Sequence, residues 1–194
     1  MNTSRRVHRM TIAAVLAAIG IIIPMFMPLK LVIPPIVSFT FASHVPVFIA
    51  MFISPFTAGF VAVITTLGFL LAGFPPEIVL RAATHLVFAL GGALYLRNRR
   101  EILKSLPKTA IFALVIALVH GLSEAIAVTP FFITGSLKEA FYSQGYLTTV
   151  LGLVGGGSVI HSLVDFFLAL LIWKPLSKMR SLTDVSSPPK KAAA

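Results

Sequence analysis

An all-α bundle of six transmembrane helices is the fold this chain predicts, and three observations predict it. Of its 194 residues, 57% are hydrophobic and only 11% charged, well under the roughly 25% charge of a soluble domain. The apolar residues fall into runs that can cross a hydrocarbon core, which takes about 20 residues at a helical rise of about 1.5 Å each. The basic residues, finally, gather in three segments separated by even numbers of those runs.

The first span is expected from about Met10 to Met27, and Pro24, Pro28, Pro34 and Pro35 break up the connection after it. The second runs from about Ser43 to Ile53; it is short for a full crossing, and a start near Val37 is the alternative. Pro55 separates it from the third, which continues to about Ala72. Pro75 and Pro76 open the fourth, Pro76 to Leu96, because proline is tolerated in a first helical turn. The fifth is expected from Lys108 to Thr129, closed by Pro130, and the sixth from about Thr148 to Trp173. Between them Phe131 to Tyr146 reads as a structured outer loop with a short interfacial helix. Residues 1–180 form a single domain without an internal repeat, and the polar, Pro- and Lys-containing segment 181–194 reads as a disordered cytoplasmic tail.

Arg5, Arg6 and Arg9 precede span one; Arg97, Arg99, Arg100, Lys104 and Lys108 fill the connection between spans four and five; Lys174, Lys178, Arg180, Lys190 and Lys191 follow span six. These are 13 of the 16 Lys and Arg residues, leaving Lys30, Arg81 and Lys138 elsewhere. By the positive-inside rule both termini are cytoplasmic, and a bacterial inner membrane suits the chain. The net charge of +10 is thereby explained without nucleic acid. With no cysteine, disulfides, thiolate metal sites and Cys nucleophiles are excluded. Ser4-Arg5-Arg6 lacks the residues of a twin-arginine export signal and reads as a membrane-flanking anchor.

Against this apolar background stand three pairs of ionisable residues four apart: Arg81 and His85, His120 and Glu124, His161 and Asp165. An i, i+4 pair shares one helical face, and ionisable groups at such depth face a bundle interior or a polar cavity. Counting helical rise from the outer boundary places most of these groups, with His44 at the start of span two, in the outer half. They are therefore expected to converge on one substrate-binding pocket: Arg81, His85, His120, Glu124, His161, Asp165 and His44. Arg81 suits a carboxylate, because guanidinium forms two parallel hydrogen bonds with it. Imidazoles and carboxylates suit ring nitrogens or hydroxyls, and Phe74, Phe88, Phe131, Phe132, Tyr142 and Tyr146 offer flat walls. A small planar aromatic acid matches this inventory. The plainer alternatives are a local Glu77–Arg81 ion pair and mutual neutralisation within the His120–Glu124 and His161–Asp165 pairs.

Enzyme chemistry finds less support. His120-Gly-Leu-Ser-Glu124 lacks the second histidine of a zinc-protease helix, Ser123 stands in no nucleophile turn, and no phosphate-binding loop is present. No catalytic residue and no cofactor is expected. A metal site or small membrane enzyme built on His120, Glu124, His161 and Asp165 is the alternative from a different class.

Ala13, Ala14, Ala17 and Ala18 give span one two overlapping rows of small residues four apart, which let another helix approach closely in lipid. With that row, the basic start and the outer-half pocket, the chain resembles the S components of energy-coupling-factor vitamin transporters. The segments Ile21 to Pro28, Ala42 to Pro55, Thr66 to Pro75 and Leu80 to His85 look most like the niacin-specific S component, and the resemblance covers about Met10 to Pro175. It implies a subunit that captures a vitamin outside and docks on a transmembrane coupling (T) component driven by two ABC ATPases. It places the docking motif on Ala13 and Ala17, with Ala14 and Ala18 as the other register, and makes the first outer loop, Leu29 to Thr40, a gate. An S component for another vitamin is the alternative within that class.

Overall fold

The computed structural model describes residues 3–33, 37–179 and 182. The chain is an all-α membrane bundle with one small β-hairpin: α1 (Thr3–Phe26), β1 (Lys30–Ile33), β2 (Val37–Thr40), α2 (Val45–Ile53), α3 (Pro55–Leu71), α4 (Pro76–Leu96), α5 (Leu106–Ile133) and α6 (Leu147–Leu176). Helices α1, α4, α5 and α6 are long and apolar enough to span a bilayer by themselves, and α3, at 17 residues, is slightly shorter. The expected tail, apart from Leu182, lies outside the described residues.

Two expected boundaries are corrected. The second span does not begin near Val37, because residues 37–40 pair antiparallel with residues 30–33, Lys30 opposite Thr40 and Ile33 opposite Val37. What remains helical is nine residues, every one buried, only about 14 Å at helical rise. So short and so apolar a segment is a core helix wrapped by its neighbours, and the hairpin takes up the depth it leaves. Pro130 does not close α5 but lies within its last turn, where the carbonyl of Pro130 still accepts from Thr134 N–H at 3.0 Å. The expected interfacial helix shrinks to a single 3₁₀ turn, Glu139–Phe141.

The α2–α3 corner is written in Ser54-Pro55. The Ser54 hydroxyl accepts from Thr57 N–H at 3.1 Å and so caps α3, while Pro55 supplies its first residue with a preset φ. At the same corner Arg100 donates to the carbonyl of Ile53 at 2.9 Å, answering an orphan acceptor at the end of α2. Arg9 lies 4.3 Å above the Phe56 ring, and Phe52 packs on Trp173 near the end of α6. The starts of α1 and α3, the α4–α5 connection and the end of α6 thus meet at one end of the bundle, the basic end. The hairpin lies at the other.

Polarity is turned inside out relative to a soluble helix. On α5, Ile111, Leu118, Leu122 and Ile126 are exposed while His120 and Glu124 are buried, as expected where lipid is the solvent. The core toward the basic end is a chain of rings: Phe48 on Phe88 and Phe166, Phe166 on Phe52 and Phe112, with centroids 5.3–5.9 Å apart. In lipid, association depends on such packing rather than on hydrophobic burial.

Candidate functional site

α6 is wound as a π-helix over Leu147–Gly156 and becomes α-helical from Gly157. Long π segments are rare and concentrate at functional sites. Here Gly121 of α5 lets the two helices come close, since a Cβ on it would run into the Gly155 carbonyl. That approach brings Glu124 of α5 to Ser158 of α6, whose hydroxyl donates to Glu124 Oε2. Phe39 of β2 seats the hairpin on the same helix, resting on Gly157 and lying 5.3 Å from the His161 ring.

Four of the five histidines meet below the hairpin, with His44 as hub: its ring centroid is 4.7 Å from those of His85, His120 and His161, each edge-on. Asp165 holds this hub in place. Its Oδ1 accepts from Ala42 N–H at 2.9 Å, and its Oδ2 accepts from His44 N–H at 2.9 Å and lies 3.1 Å from His44 Nδ1. Ala42 sits at φ 65°, a left-handed conformation that costs an alanine about 1–2 kcal/mol and is retained by this clamp. Ser43 Oγ bridges to His161 Nε2 at 3.1 Å.

Arg81 of α4 donates from Nη2 to Glu124 Oε2 at 2.8 Å. Its side chain is 15% exposed and that of Glu124 3%, so this is a buried, charge-assisted pair across two helices. The alternative of a Glu77–Arg81 pair is not what forms. The Nε of Arg81 is buried and makes no hydrogen bond among the described residues, leaving guanidinium donor capacity for a guest. Glu124 Oε1 faces His120 Nε2 at 3.3 Å and His85 Nε2 at 3.7 Å.

His44, Arg81, His85, Glu124 and His161 border a cavity of about 310 Å³, at the lower end of the range for small-molecule sites. Lys30, Arg81 and Lys138 all line it, with Glu77 and Glu124 as its carboxylates. The three basic residues that stand apart from the basic end in sequence are thus the three at this pocket.

Of the seven residues expected from sequence, Arg81, His85, Glu124, His161 and His44 line the cavity, while His120 and Asp165 lie behind it, joined to them through Glu124, His44 and His161. The aromatic walls are corrected: of the six expected, Phe74 lines the cavity, joined by Phe39, Phe69 and Phe141. Phe131, Phe132, Tyr142 and Tyr146 do not reach the cavity but pack behind it, in a cluster that includes Phe39, Val128 and Phe141, and Phe88 underlies His120. Sequence reasoning missed Ser43, Ser158 and the Ala42 amide. Ser158 was findable, since it stands seven residues before Asp165, two turns along one face; a backbone donor carries no such signal. On α1 the two alanine rows separate: Ala13 and Ala17 are buried in the bundle, whereas Ala14 and Ala18 are exposed.

No family model matches the chain, and no solved structure matches it. The niacin transporter NiaX of Lactococcus lactis subsp. cremoris (strain MG1363) is 43% identical over 173 residues, covering 89% of this chain and 76% of that one. With that identity sustained across 89% of its length, the chain belongs to the NiaX niacin-transporter family.

Proposed function

We propose that this chain is the substrate-binding S component of an energy-coupling-factor importer and that its cargo is nicotinic acid. The observation that carries the reading is the placement of Arg81, Lys30 and Lys138 at one cavity; the relative named a niacin transporter supplies the identity of the anion. Arg81, already oriented by Glu124, takes the carboxylate with its remaining donors. His161 and His85 line the cavity on the pyridine side, while His44, His120, Glu124 and Asp165 hold them in position. Phe39 and the hairpin cover the bound acid.

The basic end faces the cytoplasm with both termini, and the pocket opens outward from a bacterial cell membrane. The exposed Ala14–Ala18 row on α1, rather than Ala13 and Ala17, is the close-approach face for a transmembrane T component. Two ABC ATPases on that component supply the energy. The chain itself serves as a binding subunit and not as an enzyme.

Calorimetric titration of the detergent-purified chain tests the cargo. Nicotinic acid is expected to bind tightly and nicotinamide at least about a hundredfold more weakly, since two charge-assisted hydrogen bonds are worth about 3 kcal/mol. Equal affinity for acid and amide would overturn the carboxylate assignment. Uptake of labelled nicotinic acid that persists without the coupling proteins would overturn the S-component reading.

A further inference from the structure

The pocket floor holds more ligating chemistry than capture of an organic acid needs. His120 is wholly buried, and neither of its ring nitrogens makes a hydrogen bond among the described residues. Its Nε2 nonetheless lies 3.3 Å from Glu124 Oε1, and His85 Nε2 lies 3.7 Å from the same oxygen. Metal–nitrogen bonds of about 2.0–2.1 Å in a tetrahedron set neighbouring donors about 3.3–3.4 Å apart, so both distances are close to the edges of such a polyhedron. Glu124 divides its oxygens accordingly: Oε2 serves Arg81 and Ser158, and Oε1 is left to the imidazoles.

His44 completes the set. One donor atom from each of His44, His85, His120 and Glu124 lies within 4.8 Å of the others. The Nδ1 of His44 lies 3.1 Å from Asp165 Oδ2, and an imidazole that donates one N–H to a carboxylate presents the lone pair of its other nitrogen outward. That carboxylate–histidine pairing is how proteins orient a metal-ligating imidazole. A second cluster, His44 with His161 and Asp165, also brings three donors together. Its carboxylate is spent on the Ala42 and His44 amides, so it supports the quartet rather than competing with it.

We propose that His44, His85, His120 and Glu124 hold one borderline divalent cation, of the Zn²⁺, Co²⁺ or Ni²⁺ type, in the floor of the pocket. Three imidazoles and a carboxylate without thiolate select ions of that class over Mg²⁺ or Ca²⁺. Four protein donors complete a tetrahedral set, which makes the ion a fixed part of the pocket. The proposal rests on the donor geometry and stands whether or not nicotinic acid is the cargo.

The test uses the tag-free full chain in detergent, stripped with chelator and titrated with Co²⁺, with nicotinic acid titrated in parallel. One equivalent of Co²⁺ is expected, with the intense visible absorption of a tetrahedral site, displaced by Zn²⁺ and accompanied by a rise in melting temperature. His120→Ala, His85→Ala and Glu124→Gln are each expected to weaken binding at least about a hundredfold and to abolish the tetrahedral bands. Asp165→Asn is expected to weaken it about 10–100-fold, as loss of an orienting partner does. His161→Ala is expected to remain within about tenfold of the parent; because His85 is partly exposed, its variant keeps the test open if His120→Ala fails to fold. Folded wild-type chain that takes up neither Co²⁺ nor Zn²⁺ overturns the proposal, even where nicotinic acid binds. Loss of binding in His161→Ala, with retention in His85→Ala, overturns the assigned quartet.

Discussion

Toward the basic end, Phe48, Phe52, Phe112, Phe166 and Trp173 touch one another ring to ring, and the backbone around them is regular helix. Toward the hairpin, four histidines, two carboxylates and an arginine occupy the same layer between the same helices, and nearly every backbone irregularity is found there. Ala42 is left-handed, α6 opens into a π-helix, and α2 gives way to a hairpin. The difference shows where each kind of interaction is useful. Ring packing is tolerant of partner and needs only volume, so it suits a base on which nothing moves. Polar groups in lipid require a partner for each donor and acceptor, so they fix geometry at the cost of strain in the chain that carries them.

The polar end depends most on its ion pair. Arg81→Ala leaves Glu124 buried without its cation, and a drop in stability of about 3–5 kcal/mol is expected, read as a lower melting temperature in detergent. Nicotinic acid binding should fall at least about a hundredfold in the same protein. Adding Glu124→Gln should return most of the stability and none of the binding, because the orphaned charge is gone but the anion partner is not restored. A double variant no more stable than Arg81→Ala would show that the pair is not what couples α4 to α5.

At the other end Phe166→Ala is expected to cost about 3–4 kcal/mol through the cavity it leaves among Phe48, Phe52 and Phe112. Calorimetry on the folded fraction should find an unchanged affinity for nicotinic acid. A weakened affinity would mean that the two ends are mechanically linked. Gly121→Ala probes the boundary between them, since its Cβ meets the Gly155 carbonyl. Overpacking of this kind costs about 1–3 kcal/mol, and pushing α6 away from Glu124 should weaken binding as well; stability lost without affinity would separate packing from site geometry. The smallest effect is expected from Ala42→Gly. Relief of the left-handed strain and the added freedom of glycine nearly offset, within about 1 kcal/mol, so a large loss of stability would mean that the Ala42 methyl has a packing role.

How far the sequence foretold each end follows from the same distinction. The pocket residues were legible because an ionisable side chain inside an apolar run has few places to go, and their i, i+4 spacing names the face. Arg81 found Glu124, 43 positions away, rather than the Glu77 within its own helix, because a buried carboxylate gains more from a cation than one at a helix mouth. The aromatic walls were not legible. A phenylalanine is at home in any apolar layer, so Phe131 and Phe132 joined a cluster beside the pocket while Phe39 and Phe69 reached it. The hairpin escaped for a related reason: Lys30 to Thr40 is as apolar as a helix end, and only pairing between its two halves makes it a strand.

The π-wound start of α6 also sets what the chain tolerates in its length. A helix behaves as a screw, and each residue added or removed turns everything beyond it by about 100°. His161 and Asp165 stand just past the point where the wide winding of residues 147–156 passes into the narrower one that follows. Should one turn of the wide winding narrow to α, Asp165 would rotate off the Ala42–His44 turn and its latch would open without any side chain being changed. The indexing of that helix determines whether His161 and Asp165 face His44.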